Sequence, residues 1–246
     1  MKRLLDVRPV GFCDHLPGDP RSPESFAFPA CLTSLMEFLG EDVGLETIRA
    51  HGKEYLNRFA YKEALAASGM SFGLLWHPQQ CPSCFDLTQV NDDHDDGIRR
   101  AFDYAGWGCK ILEHDGTNTA ELRAAILGGI DAGFPVLAFG VVGPPECAII
   151  CGCEEDGRIL YGYSHFQSQA PGDCLENGMF IASDWESSLW KIVLCTEKKT
   201  PARGLRPIVE HGVDILARRS IDGYLAGEAA YDAWIDYLGA EACETM

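Results

Sequence analysis

Positive charge is scarce in this chain. Its 246 residues hold 20 Lys and Arg against 37 Asp and Glu, a formal net charge of −17. Such a surface repels phosphate backbones and anionic membranes, so no nucleic-acid partner is expected, because that binding needs a basic patch. Long hydrophobic runs are also missing. Stretches such as Ala148-Ile149-Ile150-Cys151 fall far short of the roughly 20 apolar residues that a membrane helix requires, and no membrane partner is expected. The opening Met1-Lys2-Arg3-Leu4-Leu5-Asp6 has two cations but meets an acid before any sizeable apolar run, so a secretory leader is not expected either. Internal repeats and low-complexity tracts are absent, and the composition excludes disorder, collagen and coiled coil.

Cysteine, in contrast, is plentiful. The chain has 11, an odd number. Without a leader, they are expected to be reduced thiols in a cytoplasmic protein, most of them small buried hydrophobes. Hydrophobic residues make up 46% and charged residues 23%, and a chain of this length buries enough apolar surface to fold without disulfides or metal. The length suits one domain, or one domain with an appendage.

Apolar spacing predicts a helix from Ala30 to Gly40, with Leu32, Leu35, Met36 and Leu39 on one stripe and Pro29 just ahead. A short helix is expected around Gly44 to His51 and a strand over Ser71 to Trp76. Asp95 to Ala105 reads as a helix with an acidic start, Cys109 to Leu112 as a strand, and Thr119 to Asp131 as a helix. The period then becomes that of strands: Pro135 to Val142, Cys147 to Cys153, Arg158 to Tyr163, Met179 to Ala182 and Trp190 to Cys195. Asp156-Gly157 is a hairpin signal. Helices first and hairpin-linked strands second indicate α+β with an antiparallel sheet, not a doubly wound α/β fold. Helical pattern returns over Leu205 to Arg218 and Ala226 to Leu238. The expected division is a main domain over 1–200 and a helical extension over 201–246 docked on it.

Four constellations have candidate chemistry. Cys31 opens an apolar helix, where the dipole and unpaired N–H groups lower a thiol pKa and suit a nucleophile; the bland alternative is a buried structural cysteine. Cys81-Pro82-Ser83-Cys84 supplies two zinc ligands where a structural site needs four, and no second pair has the right spacing, so no metal is expected there. Asp92-Asp93-His94-Asp95-Asp96-Gly97 with Asp103 approaches a calcium loop, but helix formers run through its second half and an acidic helix start explains it better. Gly143-Pro144-Pro145-Glu146-Cys147 is a proline-stiffened turn that delivers Glu146 and Cys147 into a strand, or a plain structural turn. Of the seven histidines, His165 follows a strand, in Tyr163-Ser164-His165-Phe166, and the rest are scattered.

The order of these elements resembles a known layout. A cysteine on the first long helix is followed by Ala132-Gly133-Phe134-Pro135-Val136-Leu137, a turn, a strand, and Gly152-Cys153-Glu154-Glu155-Asp156-Gly157. This is similar to the papain-like cysteine-peptidase fold in its C39 form, and more narrowly to the butirosin biosynthesis protein H N-terminal domain family and related uncharacterised bacterial proteins. The similarity runs over roughly Phe28 to Thr196. It implies a nucleophilic cysteine on the helix, a histidine at the start of the strand before the hairpin, and an Asp or Asn on the returning strand. Cys31 matches the first. The histidine position falls at Glu146, and the third falls near Ser164 and His165.

Two functions follow from the resemblance. One is a thiol-dependent acyltransferase or amidohydrolase acting through Cys31 on a small molecule or peptide, with an acyl carrier protein as a partner. His165 would be its base, Glu146 an orienter or substrate contact, and Cys147 and Ser164 would contact substrate. The other is a catalytically inactive papain-like scaffold that binds a peptide or amino compound, because a carboxylate at Glu146 does not activate a thiol as an imidazole does. A metal-binding protein working through its cysteines is a third class. No cofactor is expected.

Overall fold

The computed structural model describes residues 2–10, 24–50, 53–77, 90–167, 174–175 and 178–244. The chain divides into two units: Met1–Ala64 with Trp107–Lys199, and Leu65–Gly106 with Thr200–Met246. In chain order, the first unit begins with β1 (Arg3–Leu4), α1 (Ala27–Phe38), β2 (Leu45–Ala50) and β3 (Lys53–Arg58). Helix α2 (Phe59–Ala67) carries the chain into the second unit, which contributes β4 (Leu75–Trp76) and α3 (Asp96–Ala105). The first unit resumes with β5 (Trp107–Glu113), α4 (Thr119–Asp131), β6 (Val136–Phe139), β7 (Cys147–Glu154), β8 (Ile159–Ser164), β9 (Phe180–Ala182) and β10 (Lys191–Lys198). The second closes with α5 (Leu205–Leu216), β11 (Ser220–Ile221), β12 (Tyr224–Ala226) and α6 (Gly227–Glu244).

The first unit is built on a seven-stranded sheet in the order β5-β10-β6-β7-β8-β9, with β1 also paired to β7. Every strand pairing among the described residues is antiparallel, so the fold is α+β. Strand alternation divides the side chains between two faces. Val136, Ala138, Ala148, Ile150, Leu160 and Ile192 join Leu122, Ile126 and Ile130 of α4 in one apolar cluster. The intervening residues face the other way, where α1 lies on β7 and Phe28 stacks on Phe139 at 6.3 Å. The β7–β8 hairpin turns where the Asp-Gly signal lies: Glu155, Asp156 and Gly157 all have positive φ, at 50°, 55° and 83°. Gly140 ends β6 at φ 85°, and a Cβ there would meet the Ser188 carbonyl, so only glycine fits that turn.

Helix α1 starts earlier than its apolar stripe suggests. Phe26 is the extended residue ahead of it and Pro29 sits inside the first turn, where a missing N–H costs no helical bond. The expected helix at 44–51 is instead strand β2, paired with β3 in the register Leu45↔Arg58 to Ala50↔Lys53. Thr47 and Ile48 are β-branched and lie across from Leu56 and Tyr55, pairs that favour a hairpin over an isolated helical turn. The strand expected over 71–76 shrinks to Leu75–Trp76, because Met70–Phe72 forms a 3-10 turn after left-handed Gly69.

The expected boundary at 200 meets a unit limit, but 201–246 does not stand alone, because Leu65–Gly106 shares its unit. There β4 pairs with β12 and β12 with β11. Trp76 meets Tyr237 of α6 at 5.3 Å, and α5 packs on the 3-10 turn, with Gly212 against the Phe72 ring.

Candidate functional site

Cys31 lies in the second turn of α1. The N–H of Ala30 already bonds to the Phe26 carbonyl at 3.1 Å, so the unpaired N–H groups and the positive end of the dipole lie a turn ahead of the thiol. This corrects the expectation that Cys31 opens its helix beside the unpaired N–H groups. The residue is fully buried, at 0% exposure, and its thiol donates to the Cys147 carbonyl at 3.6 Å.

Three interactions fix α1 and its place, the first of them within the helix. Thr33 Oγ1 donates back to the Pro29 carbonyl at 2.7 Å. Phe28 is stacked on the sheet as described. The third is Arg58, buried at the end of β3 with 2% exposure. Its guanidinium donates to both Glu24 oxygens, to Ser34 Oγ at 3.0 Å and to Glu37 at 3.1 Å, and reaches the Ala30 carbonyl at 3.5 Å. Burial by itself lowers the Arg58 pKa, but the facing Glu24 and Glu37 outweigh it and the pKa is raised. A buried charge of this kind is stable only with such partners.

The sheet face under α1 is rich in sulfur and charge. The Cys147 thiol points to the Ala148 carbonyl at 3.7 Å, and the Cys151 thiol to the Ile149 carbonyl at 3.5 Å. Burial, with Cys31 close by, pushes the Cys151 thiol well above its usual range. In the same cross-strand row as Cys147 stand Phe139, Lys191 and Glu113. Lys191 is completely buried. Its ammonium lies 3.3 Å from Glu113 and 4.2 Å from the Trp190 ring centroid. Neither Arg58 nor Lys191 stands out in the sequence; the available signal is a lysine between Trp190 and Ile192 in an apolar strand.

Glu146 is half-buried in the turn before β7. Its N–H donates to Pro144 at 2.6 Å and its carbonyl accepts from Gly140 N–H at 3.2 Å, so the turn is closed by main-chain bonds. Ser164 pairs with Ala148, whose side chain belongs to the α4 face. Ser164 is therefore on the opposite face from Cys147, and its hydroxyl accepts from Phe166 N–H at 3.1 Å. The β7–β8 pairing ends at Ser164, and His165 lies in the turn that follows. Its ring lies 5.1 Å from that of Phe166. The structure thus brings Cys31 onto Cys147, the residue after Glu146, and turns the Ser164 side chain to the other face. The Cys31 thiol therefore has no access to solvent and is directed at a main-chain carbonyl.

The acidic run before α3 is engaged with cations of its own unit. Asp93 and Asp96 pair with Arg99 and Arg100, Asp92 with Arg218, and His94 with Asp222. Cys81 and Cys84 lie outside the described residues. A pocket of about 160 Å³ in the second unit is lined by Arg100, Asp103, Tyr104 and Pro207 among others. No described helix is long and apolar enough to cross a membrane. Comparison of the chain with family models, with curated proteins and with solved structures found no match in any of the three.

Proposed function

We propose that the protein is a binding or accessory protein on a papain-like layout, in which Cys31 is a structural thiol and not a nucleophile. The observation that carries this is the state of Cys31, which is fully buried with its thiol donated to the Cys147 carbonyl at 3.6 Å. A nucleophilic cysteine needs a path for substrate, and burial closes it. Glu146 at the histidine position of the layout supports the same conclusion, since a carboxylate does not supply the imidazole base that a nucleophilic thiol uses. The ligand class this suits is a peptide or small amino compound, with the Glu146 carboxylate facing the amine.

The enzyme alternative draws on chain order: His165 directly follows Ser164, which pairs with Ala148 next to Cys147, and the Cys31 thiol packs on the Cys147 carbonyl. A base and a thiol at one end of the sheet is the arrangement acyl transfer or amide hydrolysis would use. Alkylation of the native protein with iodoacetamide across pH separates the two. The expected result is that Cys31 stays unlabelled near neutral pH and reacts only on unfolding or above the ordinary thiol pKa of about 8.5. Fast labelling of Cys31 at neutral pH, lost in His165→Ala, would overturn the proposal in favour of the enzyme.

A further inference from the structure

Cys109 and Cys195 stand directly opposite each other in the antiparallel pair β5–β10. Strand β5 is terminal in the sheet. Opposed residues in such a pair have Cα atoms about 4.5–5.5 Å apart, inside the span of roughly 4.4–6.8 Å that a disulfide bridges, and their side chains share a face. Neither cysteine is in a disulfide and both are only partly buried, whereas Cys31, Cys147, Cys151 and Cys153 are buried. The pair is also the last regular one before the irregularity between Cys195 and Lys198. There, Gly108 leaves room for the Thr196 and Glu197 side chains, and such breaks let an edge strand adjust locally.

We propose that Cys109 and Cys195 form a modification site, a cross-strand dithiol that a small disulfide of the glutathione class closes into an intramolecular disulfide. Cys109 reacts first. Its thiolate attacks one sulfur of the oxidant, breaks that S–S bond and releases one glutathione thiolate, which takes up a proton. The protein then holds a mixed disulfide at Cys109. The Cys195 thiol gives its proton to solvent and attacks the Cys109 sulfur, which releases the second glutathione. Two protein thiols are oxidised by two electrons, and one glutathione disulfide is reduced to two thiols. The order follows from placement, with Cys109 on the terminal strand β5 and Cys195 on β10 between β5 and β6; burial, and then the neighbouring Cys109, also push the Cys195 thiol up to about 12, which disfavours it as the attacking group.

The test treats the native full chain with glutathione disulfide, blocks remaining thiols with N-ethylmaleimide and maps the digest by mass. The expected product is a linked peptide pair containing Cys109 and Cys195, two hydrogens lighter than the free peptides and separated by dithiothreitol. Cys195→Ser should instead accumulate one glutathione on Cys109, and Cys109→Ser should show at least a tenfold loss of any adduct at Cys195. Phenylarsine oxide, which needs two adjacent thiols, should protect both cysteines at one equivalent. Recovery of Cys109 and Cys195 as free thiols, as two separate glutathione adducts, or linked to other cysteines would overturn the site. Equal adduct formation on Cys195 in the Cys109→Ser variant would overturn the order of attack.

Discussion

On the α4 face of the seven-stranded sheet, Leu122, Ile126 and Ile130 cover Val136, Ala138, Ala148, Ile150 and Ile192, and these are all hydrocarbon, with the buried Cys153 and Ser164 as the exceptions on that face. On the α1 face the same strands present Cys147, Cys151 and the buried Lys191, and α1 brings Cys31 and the Arg58 cluster to them. The two faces are equally dry. They differ in what burial demands. Hydrocarbon gains about 1.5–3 kcal/mol per buried side chain with no directional requirement, whereas a buried thiol or cation must find an aligned partner. The α4 face is therefore the part that stabilises, and the α1 face is the part whose geometry is specified by hydrogen bonds and charge.

The largest effect should come from Arg58→Ala. It leaves Glu24 buried without its cation, and breaking such a pair costs about 3–5 kcal/mol. Urea unfolding measures it, and a loss under about 1 kcal/mol would show that the α1 side does not depend on its charges. Next comes Ile126→Ala on the α4 face, expected at about 2–5 kcal/mol, the range for deleting a fully buried branched side chain. Its urea midpoint should fall without a change in slope. Cys31→Ala should be the mildest, at about 1 kcal/mol, the scale of one buried heavy group. If that variant were as destabilised as Arg58→Ala, the thiol would hold the α1 face together, and the contrast between faces would need redrawing.

Much of the first unit can be read locally. Helix α4 and strands β5 to β10 fall where apolar period and turn chemistry place them, and the β7–β8 hairpin turns at Asp156-Gly157. Each signal sits within a dozen residues of the structure it specifies. Gly44 to His51 misled because its helix-like spacing competes with Thr47 and Ile48, and the cross-strand partners Leu56 and Tyr55 decided the outcome. At the candidate site, the residue types at Cys31, Glu146 and His165 were legible. Their exposure was not, nor was the face on which Ser164 lies. That face depends on register, and a shift of one residue reverses every side chain.

By itself, the sequence determined the α+β class, the antiparallel run from β6 to β9 and the acidic, apolar-run-poor character of the chain, because these depend on composition, period and short turns, whereas the place of β10 between β5 and β6 was not legible. The tertiary structure alone decided that Cys31 donates its thiol to a carbonyl 116 residues away. It also decided that Arg58 closes a buried cluster with Glu24 and Glu37, that Cys109 meets Cys195, and that 65–106 and 200–246 form one unit. The physical reason is the same in each case. Local pattern sets which face of an element is apolar, but a partner distant in the chain is chosen by packing and register, which no short window of sequence contains.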